Sequence, residues 1–206
     1  AERQLQNLQL SFSRFAPDAI IERIISDGDK VKGERVEVSV LFADLVGFTA
    51  LSERVEPDVL VGILNGYFER MSDAITSNRG HVSTFIGDGI LAFFGALAPN
   101  PWQSDDAVHA ALAMREGLDA YNLELRRQGL PALRVGIGLH RGTGIAGLVG
   151  SRDLMEFTIV GRTVNVAARV QDLTRRLDAD VIVTAALREK LAPRFVLRPL
   201  PDSEVK

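Results

Sequence analysis

LFADLVGFT, residues 41–49, places an aspartate directly after an apolar run and a glycine three positions later. The apolar residues predict the end of a buried strand that begins near Val36. A carboxylate at that point costs several kcal/mol if it is buried without a partner. Asp44 therefore needs a cation, backbone amides or water, unless it simply caps a helix. Gly47 lets the backbone turn sharply there and approach a ligand closely.

Composition limits the class of protein. The 206 residues are 46% hydrophobic and 25% charged, which fits one globular domain with a substantial core. The net charge of -3, without a long basic run, gives no sign of a nucleic-acid surface. The absence of cysteine excludes disulfide scaffolds and cysteine-based zinc sites. Because no bilayer-spanning apolar run or signal peptide is visible, we expect a cytoplasmic location, either free or as part of a larger membrane-bound protein.

The first 34 residues are predicted to form a helical linker. Apolar residues recur at helical spacing up to Phe15, and Pro17 suits the first turn of a second short helix. Such a segment either pairs in a coiled coil or packs against its own domain. We assign residues 1–34 to this linker and residues 35–206 to the globular domain.

The rest of the chain alternates between strand and helix periodicity. The predicted strands are 36–43, 81–86, 90–94, 133–139, 157–160, 181–183 and 195–197. Four helices are predicted: one begins near Pro57 and is capped by Gly80, and one runs from a cap at Ser104 or Asp105 to about Gln128. A third follows Gly161 and runs to about Leu177, and the last is 185–191. Asp88 lies between two glycines at the tip of a predicted hairpin. The order predicts an α+β fold with a ferredoxin-like β-α-β-β-α-β core and a C-terminal α/β extension.

Asp44 and Asp88 are expected to face one point. We expect the first and second strands to lie adjacent, which would bring the hairpin tip to the end of the first strand. Two close carboxylates repel each other, and a hard divalent cation such as Mg²⁺ or Mn²⁺ relieves the repulsion. A pair of carboxylates is typical of sites where substrate phosphates complete the Mg²⁺ shell. The sequence lacks a Walker loop with its lysine, so metal and backbone amides must hold the phosphates.

Three motifs, FADLVGFT, FIGDGILAFFG and FTIVGRTVNVAAR, resemble those of the bacterial class III nucleotidyl cyclase catalytic domain. This family forms cyclic AMP or cyclic GMP on a palm-like fold, and the resemblance covers about residues 35–200. FSRFAPDAIIERIISDG, residues 12–28, resembles the segment that joins bacterial cyclases to upstream sensor domains. The GGDEF signature of diguanylate cyclases, which share the fold, is absent.

The resemblance gives the residues around the first strand their roles. Asp44 and Asp88 match the two metal aspartates, and the Leu45 carbonyl matches a third ligand. The implied cofactors are two Mg²⁺ or Mn²⁺ ions per site, which assist attack of the ribose 3′-oxygen on the α-phosphate with loss of pyrophosphate. The amides that hold the β- and γ-phosphates match three consecutive residues, Gly47, Phe48 and Thr49.

Asn165 and Arg169 match the second half of the family's site. Asn165 corresponds to the residue that orients the ribose, and Arg169 to the one that meets charge on the α-phosphate. They lie four residues apart and therefore share one helix face. In the family the two halves of a site come from different subunits, so the resemblance implies a head-to-tail homodimer. No histidine is needed as a base, and we interpret all three as structural, His81, His109 and His140.

Thr84 and Thr158 match the two positions that select the base in the family. Adenylate-specific members usually have lysine at the first position and aspartate or threonine at the second; guanylate-specific members usually have glutamate and cysteine. Thr158 therefore suits ATP, whereas Thr84 suits neither pattern. Because a hydroxyl both donates and accepts, we expect loose base selectivity or help from a neighbour such as Ser83.

The leading hypothesis is an adenylate cyclase that acts in signal transduction below an upstream sensor domain. A guanylate or dual-specificity cyclase is the first alternative, and an inactive cyclase-like dimerisation module is the second. The second is disfavoured because all four central residues are present, Asp44, Asp88, Asn165 and Arg169. Family members also carry a lysine for the triphosphate in a VKG stretch, whose start Val205 and Lys206 match.

Overall fold

The computed structural model describes residues 33–151 and 155–201. Its strands are β1 (Glu34–Leu45), β2 (His81–Ile86), β3 (Gly89–Phe94), β4 (Val135–Gly150), β5 (Met155–Val160) and β6 (Val181–Val183). Its helices are α1 (Phe48–Ser52), α2 (Pro57–Ser77), α3 (Gln103–Arg127), α4 (Arg162–Arg176) and α5 (Ala185–Arg188). The predicted linker, apart from its last two residues, and the VKG match at Val205 and Lys206 lie outside the described residues, so both stay predictions.

One six-stranded sheet carries the fold, in the order β2-β3-β1-β4-β5, with β6 pairing in parallel with β4. The order of the first four strands confirms the predicted ferredoxin-like α+β core. The expectation that the first two strands are adjacent was wrong, because β3 lies between β1 and β2. Asp88 still reaches the end of β1, since β3 begins at the next residue and pairs with β1.

Side-chain alternation along β1 separates two cores. Leu41, Ala43 and Leu45 face the helices α2 and α3, whereas Val38 and Val40 belong to a second cluster that includes Ala167 of α4. Helix α2 buries a stripe with helical spacing, made of Ile63, Tyr67, Met71 and Ile75. Each fully buried large apolar side chain contributes about 1.5–3 kcal/mol. The two clusters lie on opposite faces of β1, so both faces of this strand are covered.

The glycine-rich stretch 142–150 extends the sheet. It continues the predicted strand 133–139 into one strand, β4, which pairs with β1 along its first part and with β5 along its last. A side chain on Gly144 would collide with Ile159, so this glycine lets β5 pack closely. Within the described part of the chain, no helix has the length and apolarity to span a membrane.

The C-terminal segment differs from its prediction. The predicted helix 185–191 ends at Arg188, and the predicted strand 195–197 was wrong, because residues 189–201 form neither helix nor strand. Side-chain contacts hold this segment instead: the Arg194 guanidinium donates to Asp105 Oδ2 at 2.9 Å, and Phe195 packs against the main core.

His81 at the start of β2 should make stability depend on pH. Its ring lies 4.8 Å from the Phe93 ring, and burial lowers its pKa to about 4. An unfolded histidine titrates near 6.5, so between these values the unfolded state binds more protons and stability falls with falling pH. We expect the contribution of His81 to the unfolding free energy to fall by about 2 kcal/mol between about pH 7 and pH 5, while the raised pKa of Asp44, about 6, acts in the opposite direction. Urea unfolding of the parent chain and of His81→Phe isolates the histidine contribution as the difference between their pH slopes; equal pH slopes for both proteins would contradict this assignment.

Candidate active site

Two aspartates meet where β1 ends. Asp44 is the second-last residue of β1, and Asp88 lies in the turn between β2 and β3. The Leu45 amide donates a hydrogen bond to Asp88 Oδ2 at 3.2 Å, which anchors the hairpin tip to β1. Burial, a hydrogen bond to Asp88 and the Asp88 charge raise the pKa of Asp44 to about 6, against the opposing charge of Arg175. Negative charge is thus concentrated at this point.

The oxygen atoms at this point fit a divalent cation. Arg175 Nη2 lies 2.6 Å from Asp44 Oδ2 and 3.1 Å from the Leu45 carbonyl oxygen, so both oxygens face one position. A Cβ on Gly89 would lie 3.5 Å from Asp44 Oδ1, so this glycine keeps the space beside the carboxylate open. Among the described residues no group of three or more acidic or histidine side chains could hold a metal. The protein therefore offers a partial oxygen shell, as in sites that substrate phosphates complete.

A buried hydroxyl lies near the aspartates. Tyr67 of α2 is fully buried, and its hydroxyl has no hydrogen-bond partner within residues 33–151 and 155–201. Burial raises the pKa of Tyr67, and the charges of Asp44 and Asp88 raise it further. The phenol therefore stays protonated and keeps a free donor close to two carboxylates. From the sequence, Tyr67 could be assigned only to the apolar face of α2. No local sequence pattern distinguishes Tyr67 from the other buried residues of that face, so its position near the aspartates could not be predicted.

The predicted phosphate segment forms the turn into α1. Gly47 has a φ of 75°, a left-handed conformation that favours glycine, and it precedes the first helical residue. Phe48 and Thr49 then occupy the first turn of the helix, whose amides have no intrahelical partner. The Val46 N–H donates to the Arg134 carbonyl oxygen at 2.8 Å, which holds this turn against the segment just before β4. This arrangement leaves amides available for anionic oxygens beside Asp44.

Asn165 and Arg169 lie on an exposed face of α4. Within the part of the chain that the structure describes, neither side chain has a hydrogen-bond or ion-pair partner. Arg175 of the same helix contacts Asp44, and helix geometry puts Arg169 about 9 Å further along the axis and about 120° around it. Asn165 is about 15 Å from Arg175 along the axis. One chain therefore does not bring this pair to its own aspartates.

The residues predicted to select the base, Thr84 and Thr158, lie on the strands at the two ends of the strand order, β2 and β5, which contact each other. A bulge interrupts the pairing of β2 with β3 between Val82 and Thr84. The Ser83 hydroxyl, at this bulge, donates to Thr158 Oγ1 on β5 at 2.9 Å. The Thr84 hydroxyl lies 3.5 Å from the Phe85 carbonyl oxygen. The structure thus brings Thr158 together with Ser83 and not with Thr84, because a bulge re-aims side chains.

Comparison with known proteins agrees with this geometry. The family profile of the adenylate and guanylate cyclase catalytic domain matches residues 31–206. This chain belongs to that family. An adenylate cyclase of Anabaena cylindrica is 36% identical to this chain over an alignment of 210 residues, which covers 95% of the chain and 40% of the relative. The chain therefore spans about two fifths of the length of that curated relative.

Solved structures similar to this cyclase domain include both base specificities. The crystal structure of the guanylyl cyclase Cya2 is 30% identical, with a TM-score of 0.75, and the match covers 84% of this chain and 89% of the Cya2 chain. A bacterial light-regulated adenylyl cyclase is 29% identical, with a TM-score of 0.78, and the match covers 93% of this chain and 56% of the light-regulated chain. The shared fold therefore does not by itself select the base.

Proposed function

We propose that this cyclase domain converts ATP to 3′,5′-cyclic AMP and pyrophosphate in signal transduction. The observation that carries the proposal is the convergence of Asp44, Asp88 and the Leu45 carbonyl at one point beside a turn with free amides. GTP is the alternative substrate, since relatives of both kinds share the fold. The cytoplasmic location and the upstream sensor domain stay predictions; the greater length of the Anabaena relative supports a larger protein.

The metal half of the site would bind and orient the triphosphate. The two carboxylates and the Leu45 carbonyl would hold two Mg²⁺ or Mn²⁺ ions, which when bound lower the pKa of the ribose 3′-hydroxyl and neutralise the phosphates. The Phe48 and Thr49 amides would donate to β- and γ-phosphate oxygens, with Gly47 supplying the turn that aims them. Both groups of contacts keep the α-phosphate beside Asp44.

The second half of the site would act on the ribose and the α-phosphate. The Asn165 amide can hold the ribose by hydrogen bonds, and the Arg169 guanidinium can stabilise charge that grows on the α-phosphate in the transition state. Their exposed position, turned away from the aspartates of their own chain, supports a partner subunit as the source of this half. We propose a head-to-tail homodimer with two equivalent sites.

Exposed apolar side chains near the metal half support this dimer. Phe85 and Ile86 flank the Asp88 turn and are 47% and 55% exposed. Large apolar side chains grouped beside a functional site mark interaction surfaces. A second copy of the chain would bury them while it completes the site.

Ser83 and Thr158 can explain how a base is read without the usual lysine. With Ser83 donating to Thr158, the Thr158 proton is free for the N1 acceptor of adenine, and Ser83 Oγ can accept from the adenine amino group. If both hydroxyls rotate, the pair donates to guanine O6 and accepts from guanine N1–H. Donation from Ser83 to Thr158 suits adenine, and because either hydroxyl can donate, the pair supports loose selectivity.

A nucleotide panel tests this function. We expect cyclic AMP from ATP as the main product, less cyclic GMP from GTP, and little from CTP or UTP, with either Mg²⁺ or Mn²⁺. Ser83→Ala should lower kcat/KM for ATP by about three- to tenfold, the effect of one lost hydrogen bond, and should change the ATP-to-GTP ratio. Thr84→Ala is the matched control and should leave that ratio unchanged.

The panel also separates the alternatives. A ratio that changes in Thr84→Ala and not in Ser83→Ala would assign base selection to the family position instead. Absence of cyclic product from every triphosphate with Mn²⁺ would favour the inactive dimerisation module.

A further inference from the structure

A cation of the chain itself lies between two of the proposed metal ligands. Arg175, in the last turn of α4, places one nitrogen, Nη2, 2.6 Å from Asp44 Oδ2 and 3.1 Å from the Leu45 carbonyl oxygen. The Asp44 side chain is 27% exposed and the Arg175 side chain is 47% exposed. The carboxylate is thus held in place from the solvent side by a side chain that has room to leave.

The sheet brings this arginine to the aspartate by close helix packing. Asp44 pairs across the sheet with Gly136 of β4, and Gly138 follows two residues later on the same face. A side chain on Gly136 would collide with Thr174, and one on Gly138 would collide with the backbone at Gln171. The C-terminal half of α4 therefore lies directly against the strand that neighbours β1, with Arg175 at its edge.

Arg175 and a divalent ion compete for the same oxygens. Mg²⁺ requires oxygen ligands at about 2.0–2.1 Å, so an ion bound to Asp44 and Leu45 would sit in the space that Nη2 takes. A second positive charge at that distance would also be repelled by the guanidinium. Either cation, Arg175 or the divalent ion, would reduce the repulsion between the Asp44 and Asp88 carboxylates when both are ionised.

We infer that Arg175 is an internal counter-ion that occupies the metal position of Asp44 and Leu45 and is displaced when the divalent ion binds. The inference rests on the proposed function for the metal site itself. Arg175 orders the carboxylate before the ion arrives and lowers the apparent affinity of the site for free ions. The site would then load best with an ion that arrives bound to the triphosphate, whose phosphate oxygens supply the remaining ligands.

Binding of Mn²⁺ without nucleotide tests this exchange. Free Mn²⁺ is followed by electron paramagnetic resonance during titration of the whole chain, and no turnover is needed. Arg175→Gln keeps most of the side-chain length and removes the charge, and we expect the Mn²⁺ dissociation constant to fall roughly fivefold, the scale of an exposed ion pair. Arg176→Gln removes the same charge from the next helical position, about 100° around the axis, and should leave the constant within about twofold.

Each other outcome has a definite meaning. Unchanged Mn²⁺ affinity in Arg175→Gln, or an equal change in Arg176→Gln, would overturn the exchange while leaving the metal site intact. No binding of free Mn²⁺ by any of the three proteins, Arg175→Gln included, would overturn the exchange, while the metal assignment would still rest on the loss of activity in Asp44→Asn. Cyclic nucleotide formation, measured separately, distinguishes that result from failure of the proposed cyclase activity. A thermal-shift titration with Mn²⁺ gives a second readout, in which Arg175→Gln should show the larger stabilisation by the ion.

Discussion

Asp44→Asn is expected to lower cyclic AMP formation by about 1000-fold, which corresponds to roughly 4 kcal/mol of transition-state stabilisation. The substitution keeps the shape of the side chain and removes the charge that would hold a divalent ion with the Leu45 carbonyl and Asp88. Product formation in the presence of saturating Mn²⁺ measures the effect. Excess ion is used so that a weakened metal affinity alone does not account for the loss.

The stability of the same variant separates chemistry from folding. Burial and Asp88 raise the pKa of Asp44 to about 6, so its ionised form is disfavoured in the folded state at neutral pH. Asparagine avoids that cost, and we expect an unfolding free energy no lower than that of the parent chain. Asp172→Asn, a nearby acidic residue on α4 whose charge also acts on Asp44, is the matched control and should keep activity within a few-fold. Activity of Asp44→Asn above about a tenth of the parent value would remove Asp44 from the metal site.

Mixing two inactive variants is expected to restore about a quarter of the parent activity. Arg169→Ala alone should lose about 100- to 1000-fold, the usual effect of removing one group that stabilises transition-state charge. In a heterodimer with Asp44→Asn, one site carries both defects and the other carries none. Random pairing makes half of the dimers mixed, and half of their sites intact, which gives about a quarter. The assay compares the mixture, after exchange of subunits, with each variant alone.

A second mixture controls for this complementation. Asp44→Asn with Asp88→Asn places both defects in the metal half, so every site of the heterodimer carries one of them and no recovery is expected. If the mixture of Asp44→Asn and Arg169→Ala also fails to recover while mixed dimers are present, the four residues belong to one subunit. That result would contradict the proposal that Asn165 and Arg169 complete the site of the partner subunit.

The local elements and the chemical type of the site could be predicted from the sequence. Helical and strand periodicities report which side of a short element is buried, and these local preferences survive in β2, β3, α2 and α4. Asp44 could be singled out because a carboxylate after a buried strand is costly without a partner, and Asp88 because Gly-Asp-Gly between apolar runs marks a hairpin tip. The motif resemblance then indicated the family, which the family profile confirmed.

Strand adjacency and the contacts across the sheet were decided only by the tertiary structure. The insertion of β3 between β1 and β2 depends on pairing between distant segments, which no local period encodes. The bulge beside Ser83 brings this residue to Thr158, and the glycines of β4 let α4 pack closely enough to bring Arg175 to Asp44. Both contacts join residues more than thirty positions apart, so no local sequence pattern predicts them. LFADLVGFT by itself determined that Asp44, if buried, needs a partner, which could be a cation, backbone amides or water. Only the packing of α4 against β4 decided that Arg175 of the same chain is this partner.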